Sequence, residues 1–106
     1  MKTEVAILHH EYPSTTRDYV TEKLQHLVRY YDGTVSLRAV LERQHGDHRV
    51  ELVANVRRGV TLVADASAGT IASALDDAVD RMSRMLARYK VRLKEEGRRR
   101  GPHHRS

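Results

Sequence analysis

The sequence predicts an α+β fold of order β-α-β-β-β-α, a four-stranded sheet with two helices packed on one face. Three observations predict it. From Thr34 to Ser67 apolar residues recur at every second position, the period of strands with one buried face. On either side of that meander the period lengthens to steps of three and four, the spacing of an amphipathic helix. Ahead of the first helix, Val5 and Ile7 alternate with Thr3, Glu4 and Ala6 and mark one more short strand.

Each element follows in order. Lys2 to Leu8 reads as the first strand, and Pro13 breaks it. Ser14 or Thr15 is placed to cap a helix whose apolar positions are Val20, Leu24, Leu27 and Tyr31, and Asp32-Gly33 ends it. Val35, Leu37, Ala39 and Leu41 point inward from the next strand, and His45-Gly46-Asp47-His48 supplies a polar turn. The hairpin returns with Val50, Leu52, Ala54 and Val56 inward, and Arg58-Gly59 turns the chain again. The last strand sets Val60, Leu62, Ala64 and Ala66 inward, which makes an antiparallel meander. Thr70 caps the second helix, whose stripe is Ile71, Leu75, Ala78, Met82, Leu86, Tyr89 and Leu93. After Glu95 the periodicity stops, so residues 1–95 read as one domain and residues 96–106 as a basic, disordered tail.

Charge is distributed unevenly along this plan. Residues 81–106 hold eight Arg and two Lys against Glu95 and Glu96, a surplus of eight positive charges. The remaining residues hold nine basic against twelve acidic side chains, a deficit of three. Such segregation points to a polyanion, nucleic acid first and an acidic membrane surface second. Arg81, Arg84, Arg88 and Arg92 recur at steps of three and four, so they form one column roughly a third of a turn from the apolar stripe. A weaker basic patch lies on the first helix at Lys23, His26, Arg29 and Tyr30.

Other chemistries find little support. There is no cysteine, hence no thiolate and no disulfide framework, as expected of a cytoplasmic protein. No apolar run is long enough to span a bilayer, and the first residues lack the pattern of a signal peptide, so no membrane partner is expected. The His pairs 9/10, 45/48 and 103/104 stand without further ligands at zinc spacing, so no metal is expected and the histidines read as solvated. Asp76, Asp77 and Asp80 complement the helix dipole and neighbour Arg81 and Arg84 at helical spacing, which accounts for them without an acid–base role. Neither a nucleophile elbow nor a glycine-rich phosphate loop is present, so no catalytic residue, cofactor or small-molecule substrate is expected. With no Phe or Trp, the chain lacks the strand aromatics that stack unpaired bases, and an arginine column suits phosphates on a structured surface.

Two segments carry a family resemblance. Val20-Thr21-Glu22-Lys23-Leu24-x-x-Leu27-x-x-Tyr30-Tyr31-Asp32 resembles the first helix of the ribosome hibernation promoting factors, also called ribosome-associated inhibitors or the sigma-54 modulation family. Ile71-Ala72-Ser73-Ala74-Leu75-Asp76-x-x-x-Asp80-Arg81-Met82-x-Arg84-x-Leu86-x-Arg88-Tyr89-Lys90 is similar to their second helix. The resemblance spans residues 2–95 and shares the order of elements. It implies a protein that binds the small ribosomal subunit and its 16S-type rRNA in the decoding channel, over the messenger and the A- and P-site tRNA positions, and holds idle ribosomes inactive.

Residue by residue, the resemblance implies RNA contacts at Lys23, His26 and Arg29 on the first helix. On the second it implies Arg81, Arg84, Arg88, Lys90, Arg92 and Lys94. At His26, where the family often has Lys, contact depends on protonation. Long members add a C-terminal dimerisation domain; this chain resembles the short form, expected to be monomeric off the ribosome. Two alternatives stay open beside this reading. One is a binder of double-stranded or structured RNA, although that domain has the order α-β-β-β-α. The other is an enzyme acting on a basic or phosphorylated substrate, for which no nucleophile and base converge in the sequence.

Overall fold

The protein is described by a computed structural model covering residues 2–8 and 12–99, with side chains described through Gly97. Its elements are β1 (Lys2–Leu8), α1 (Ser14–Leu27), β2 (Thr34–Gln44), β3 (Asp47–Val56), β4 (Val60–Ala68) and α2 (Ile71–Arg99), with single 3-10 turns at Val28–Tyr30 and Arg57–Gly59. The strands lie in the order β1-β2-β3-β4. β2, β3 and β4 are antiparallel neighbours, whereas β1 pairs parallel to β2, so the sheet is mixed and not wholly antiparallel. The parallel pair follows from the crossover through α1, which returns the chain to the end of the sheet where β1 began.

Both helices cover the same face, α1 over β1 and β2, α2 over β3 and β4. They run in the same direction. Thr16 and Tyr19 near the start of α1 lie beside Ile71 and Ala72 at the start of α2, and Tyr31 beyond α1 meets Tyr89 edge-on with ring centroids 5.5 Å apart. The core between the layers contains Val20, Leu24, Leu27, Leu37, Leu41, Leu52, Leu75, Met82 and Leu86, all fully buried. Each large aliphatic side chain there contributes about 1.5–3 kcal/mol by leaving water. The expected α2 stripe is intact: Leu75, Ala78, Met82, Leu86 and Tyr89 are buried, and Ile71 and Leu93 pack against the core's ends.

Four details differ from the sequence reading. Val35 is 56% exposed, because Thr34 pairs with Val56 and Ser36 with Asn55, which leaves Val35 as the extra residue of a bulge. Thr34 takes the inward position instead and satisfies its hydroxyl on the Tyr31 carbonyl at 2.8 Å. At the start of α1, Ser14 and Thr15 are already helical, and Pro13, which has no side-chain oxygen, occupies the cap with its carbonyl accepting from Thr16 N–H at 2.9 Å. The β2–β3 turn is only His45-Gly46, both in the left-handed region at φ 51° and 85°. His48 therefore lies in β3 and meets the Tyr12 hydroxyl through Nδ1 at 2.6 Å, so it is not a solvated turn residue. Thr70 does cap α2, its hydroxyl accepting from Ser73 N–H at 3.1 Å.

The fourth difference concerns length. α2 continues past Glu95 to Arg99. Gly97 costs about 1 kcal/mol relative to alanine, which a helix flanked by Glu and Arg withstands. Glu96 is also held by Arg58 at 3.6 Å. At 29 residues α2 is roughly 43 Å long, more than the strands beneath it span, so its last turns project beyond the sheet. The remainder of the expected tail, residues 100–106, lies outside the described residues, as do His9 and His10.

Candidate nucleic-acid interface

The residues expected to meet RNA are solvent-facing, with Lys23 the least exposed. Their partners divide them. Arg84 pairs with Asp80 one turn earlier, an exposed contact that a phosphate can displace at little cost. Arg81 donates from Nη1 to the backbone carbonyl of Asp65 on β4 at 2.6 Å, and its expected neighbour Asp77 plays no part in that bond. Lys23 sits 3.9 Å from Asp76 on α2, with its ammonium 5.4 Å from the centre of the Tyr19 ring. His26, Arg29, Arg88, Lys90, Arg92 and Lys94 make neither a hydrogen bond nor an ion pair among the described residues. Those six side chains carry cationic or titratable capacity that the fold leaves unused.

The second helix presents its cations on two flanks. Arg81, Arg84, Arg88 and Arg92 line the side toward β4 and solvent, as the Arg81 contact shows. Lys90 and Lys94 lie roughly half a turn from Arg81 and Arg92 at 100° per residue. That is the flank of Asp76, which faces α1 through Tyr19 and Lys23. The sequence sets the four arginines apart as one column but does not say which flank faces α1; by helical phase Lys90 and Lys94 fall on that flank, and Arg29 and Tyr30 are exposed in the turn after α1. Because α2 outruns the sheet, both flanks stay open along its last turns.

Two further arginines join this end. Arg57 and Arg58 form the β3–β4 turn, with Arg58 and Gly59 at φ 72° and 71°. The turn is bound to α2 from two sides: the Tyr89 hydroxyl donates to the Arg57 carbonyl at 3.0 Å, and Arg58 pairs with Glu96. Gly33 completes the support, its carbonyl accepting from Arg57 N–H at 3.0 Å while its bare α-carbon lies under the Tyr31 ring, where a β-carbon would collide. The Arg-Arg-Gly turn was visible in the sequence, but only the packing of Tyr89 shows that it stands next to the arginine column.

Elsewhere the surface is balanced. On the uncovered sheet face Arg49 contacts Asp65 at 2.8 Å, Glu51 at 3.4 Å and Glu42 at 3.7 Å. The hydrogen bond to Asp65 raises its already high pKa, against partial desolvation. Arg38 similarly neighbours Glu4 at 3.7 Å. No group of three or more metal-ligating side chains occurs among the described residues, and no helix there is long and apolar enough to cross a membrane.

Comparison with known proteins gives this arrangement a family. The profile of the family described as Sigma 54 modulation protein / S30EA ribosomal protein matches residues 4–94, nearly everything the two helices and the sheet comprise. The chain belongs to this family. A ribosome hibernation promotion factor of Rhizobium meliloti (strain 1021) is 29% identical over 96 residues, covering 90% of this chain and 50% of that protein. The ribosome hibernation promoting factor of Azotobacter vinelandii is 30% identical over 74 residues, 70% of this chain and 68% of that protein. With 39% of a Bradyrhizobium diazoefficiens relative also covered, the chain spans about half the length of the first curated relatives it matches, or less. Among solved structures, the Thermus thermophilus Protein Y N-terminal domain superposes with a TM-score of 0.72 at 28% identity, covering 81% of this chain and 94% of that one. A ribosomal subunit interface protein from Coxiella burnetii, at 15% identity, shares the fold with a TM-score of 0.78, over 86% of this chain and 99% of its own.

Proposed function

We propose that this protein is a non-enzymatic ribosome hibernation factor, which binds the small ribosomal subunit in the decoding channel and inhibits translation by idle ribosomes. Bound there, it overlaps the positions of messenger and of A- and P-site tRNA, and it acts as a monomer off the ribosome. The observation that carries the reading is the set of side chains His26, Arg29, Arg88, Lys90, Arg92 and Lys94, unpartnered among the described residues and carried by two adjacent parallel helices and the turn after the first. A protein gains nothing in stability from leaving such groups unpaired, whereas each one opposite a phosphate releases condensed counterions. Guanidinium groups also match phosphate oxygens two at a time.

The test is co-sedimentation with purified small subunits across a salt series, with in vitro translation measured in parallel. Binding is expected at low salt, with log K falling by about 0.7–0.9 per phosphate contact for each tenfold rise in salt. Arg84, Arg88 and Arg92 changed together to Glu are expected to abolish both binding and inhibition while thermal unfolding stays cooperative. Unchanged binding by that triple variant would remove the reading.

A further inference from the structure

Between α2 and the outer edge of the sheet lies a cleft of about 200 Å³ lined by Leu62, Met85, Arg88, Tyr89 and Arg92. We infer that this cleft receives one unpaired nucleobase of the bound RNA, with Arg88 and Arg92 holding the flanking phosphates. The inference deepens the RNA-binding reading above and rests on it for the partner.

The floor is apolar and already in place. Leu62 and Met85 are half-buried against the core, and the Tyr89 ring is fixed by its hydroxyl on the Arg57 carbonyl at 3.0 Å and by its edge-on contact with Tyr31. Nothing in it must be ordered on binding, which removes one of the usual costs of forming a complex. The rim is cationic, because Arg88 and Arg92 stand one turn apart and neither has a partner among the described residues. An apolar floor between two guanidinium groups fits a ligand that is planar and apolar on its faces and anionic at its edges. A nucleotide is such a ligand.

The geometry also selects among RNAs. A duplex keeps its bases stacked inside and can offer this cleft only phosphates, leaving Leu62 and Met85 against water. An extruded base covers them and stacks on arginine planes, an interaction open to every base because each has a π-face. Methionine adapts its shape to such a guest. A second depression shares Arg88 and Arg92 but adds Val91, Ala87 and Glu95, and the Glu95 carboxylate there opposes a phosphate. The absence of Phe and Trp argues against a long stacking platform, not against this single seat.

The experiment compares three probes of equal length: a single-stranded oligoadenylate, the same sugar–phosphate strand without bases, and a blunt RNA duplex. The intact chain is expected to bind the oligoadenylate about tenfold or more tighter than the abasic strand at one salt concentration. Leu62→Gln, which makes the floor polar without altering charge, is expected to erase that difference while leaving abasic binding as it was. If Leu62→Gln fails to unfold cooperatively, Met85→Gln takes its place, again without a change of charge. Equal affinity of the wild-type chain for oligoadenylate and abasic strand overturns the inference. Co-sedimentation with small subunits, run alongside, keeps the two conclusions apart: full co-sedimentation with equal probe affinities removes the base seat and leaves the hibernation reading. A clear base preference without co-sedimentation does the reverse.

Discussion

Arg81 reaches from the second helix to the sheet, its Nη1 donating to the Asp65 carbonyl at 2.6 Å. Asp65 lies on β4, which has no neighbour on its far side among the described residues, so this carbonyl belongs to a strand edge. The guanidinium thus does for one edge group what a fifth strand would otherwise do. Arg81→Ala is expected to lower stability by roughly 0.5–1.5 kcal/mol, the ordinary net value of a hydrogen bond. Arg88→Ala, which breaks no bond among the described residues, should stay within about 0.5 kcal/mol of wild type. Urea titrations of the two variants check this, and equal losses would contradict it. Size-exclusion chromatography should also show more self-association for Arg81→Ala, since an uncovered edge can pair with another copy.

The same contact shows where residue spacing stops being informative. The Ile71 to Leu93 stripe and its burial were legible because a helix face repeats locally, and the inward residues of β3 were legible for the same reason. Partner choice is not local. Spacing put Asp77 beside Arg81, but the competing acceptor comes from a strand that the helix crosses only in the folded chain. The exposure of Val35 was hidden for a related reason, since a bulge is set by what the partner strand does at Val56 and Asn55. For the candidate interface, spacing gives the elements that carry the expected residues but not their layout. All nine expected contacts lie on α1, α2 or the turn after α1, but their two flanks and the neighbouring Arg57-Arg58 turn depend on how Tyr89 and Asp76 pack.

Tyr89 supports a second prediction. It is buried with the core, yet its hydroxyl holds the Arg57 carbonyl and so fixes the arginine-bearing turn against α2. Tyr89→Phe keeps the ring and removes that bond. A loss of about 0.5–1.5 kcal/mol is expected in equilibrium unfolding, together with faster amide exchange at the Arg57–Gly59 turn. Tyr89→Ala also empties the space beside Tyr31 and should cost about 3–5 kcal/mol. If exchange at the turn is unchanged in Tyr89→Phe, the hydroxyl does not hold it.

Alkaline pH tests the burial of the Tyr12 hydroxyl. Burial raises the Tyr12 pKa above its ordinary 10.0, and the nearby Arg43 charge only partly offsets this. The folded-state value therefore exceeds the unfolded one. The stability linked to this group is complete below pH 10 and is lost as pH rises from there through the folded-state pKa, because the unfolded chain releases its proton first. Urea midpoints on either side of pH 10 should fall more steeply for wild type than for Tyr12→Phe, which has no proton to lose. Parallel curves for the two proteins would show that Tyr12 titrates alike in both states.

Asp76 provides a test in the opposite direction, a substitution expected to strengthen binding. Its carboxylate accepts from the Tyr19 hydroxyl at 3.3 Å and lies 3.9 Å from the Lys23 ammonium, so it draws a cation of α1 back onto the protein. Lys23 is one third exposed and Asp76 rather more, and an ion pair so placed contributes little to stability. Asp76→Asn keeps an acceptor for Tyr19 while removing the charge that holds Lys23. Its thermal midpoint should shift little, while small-subunit affinity at low salt should rise severalfold. The dependence of log K on log salt should steepen by about one unit as Lys23 gains a phosphate. In the double variant Asp76→Asn with Lys23→Ala both gains should disappear. If the double variant retains them, the effect comes from removing a negative charge near the RNA and not from releasing Lys23.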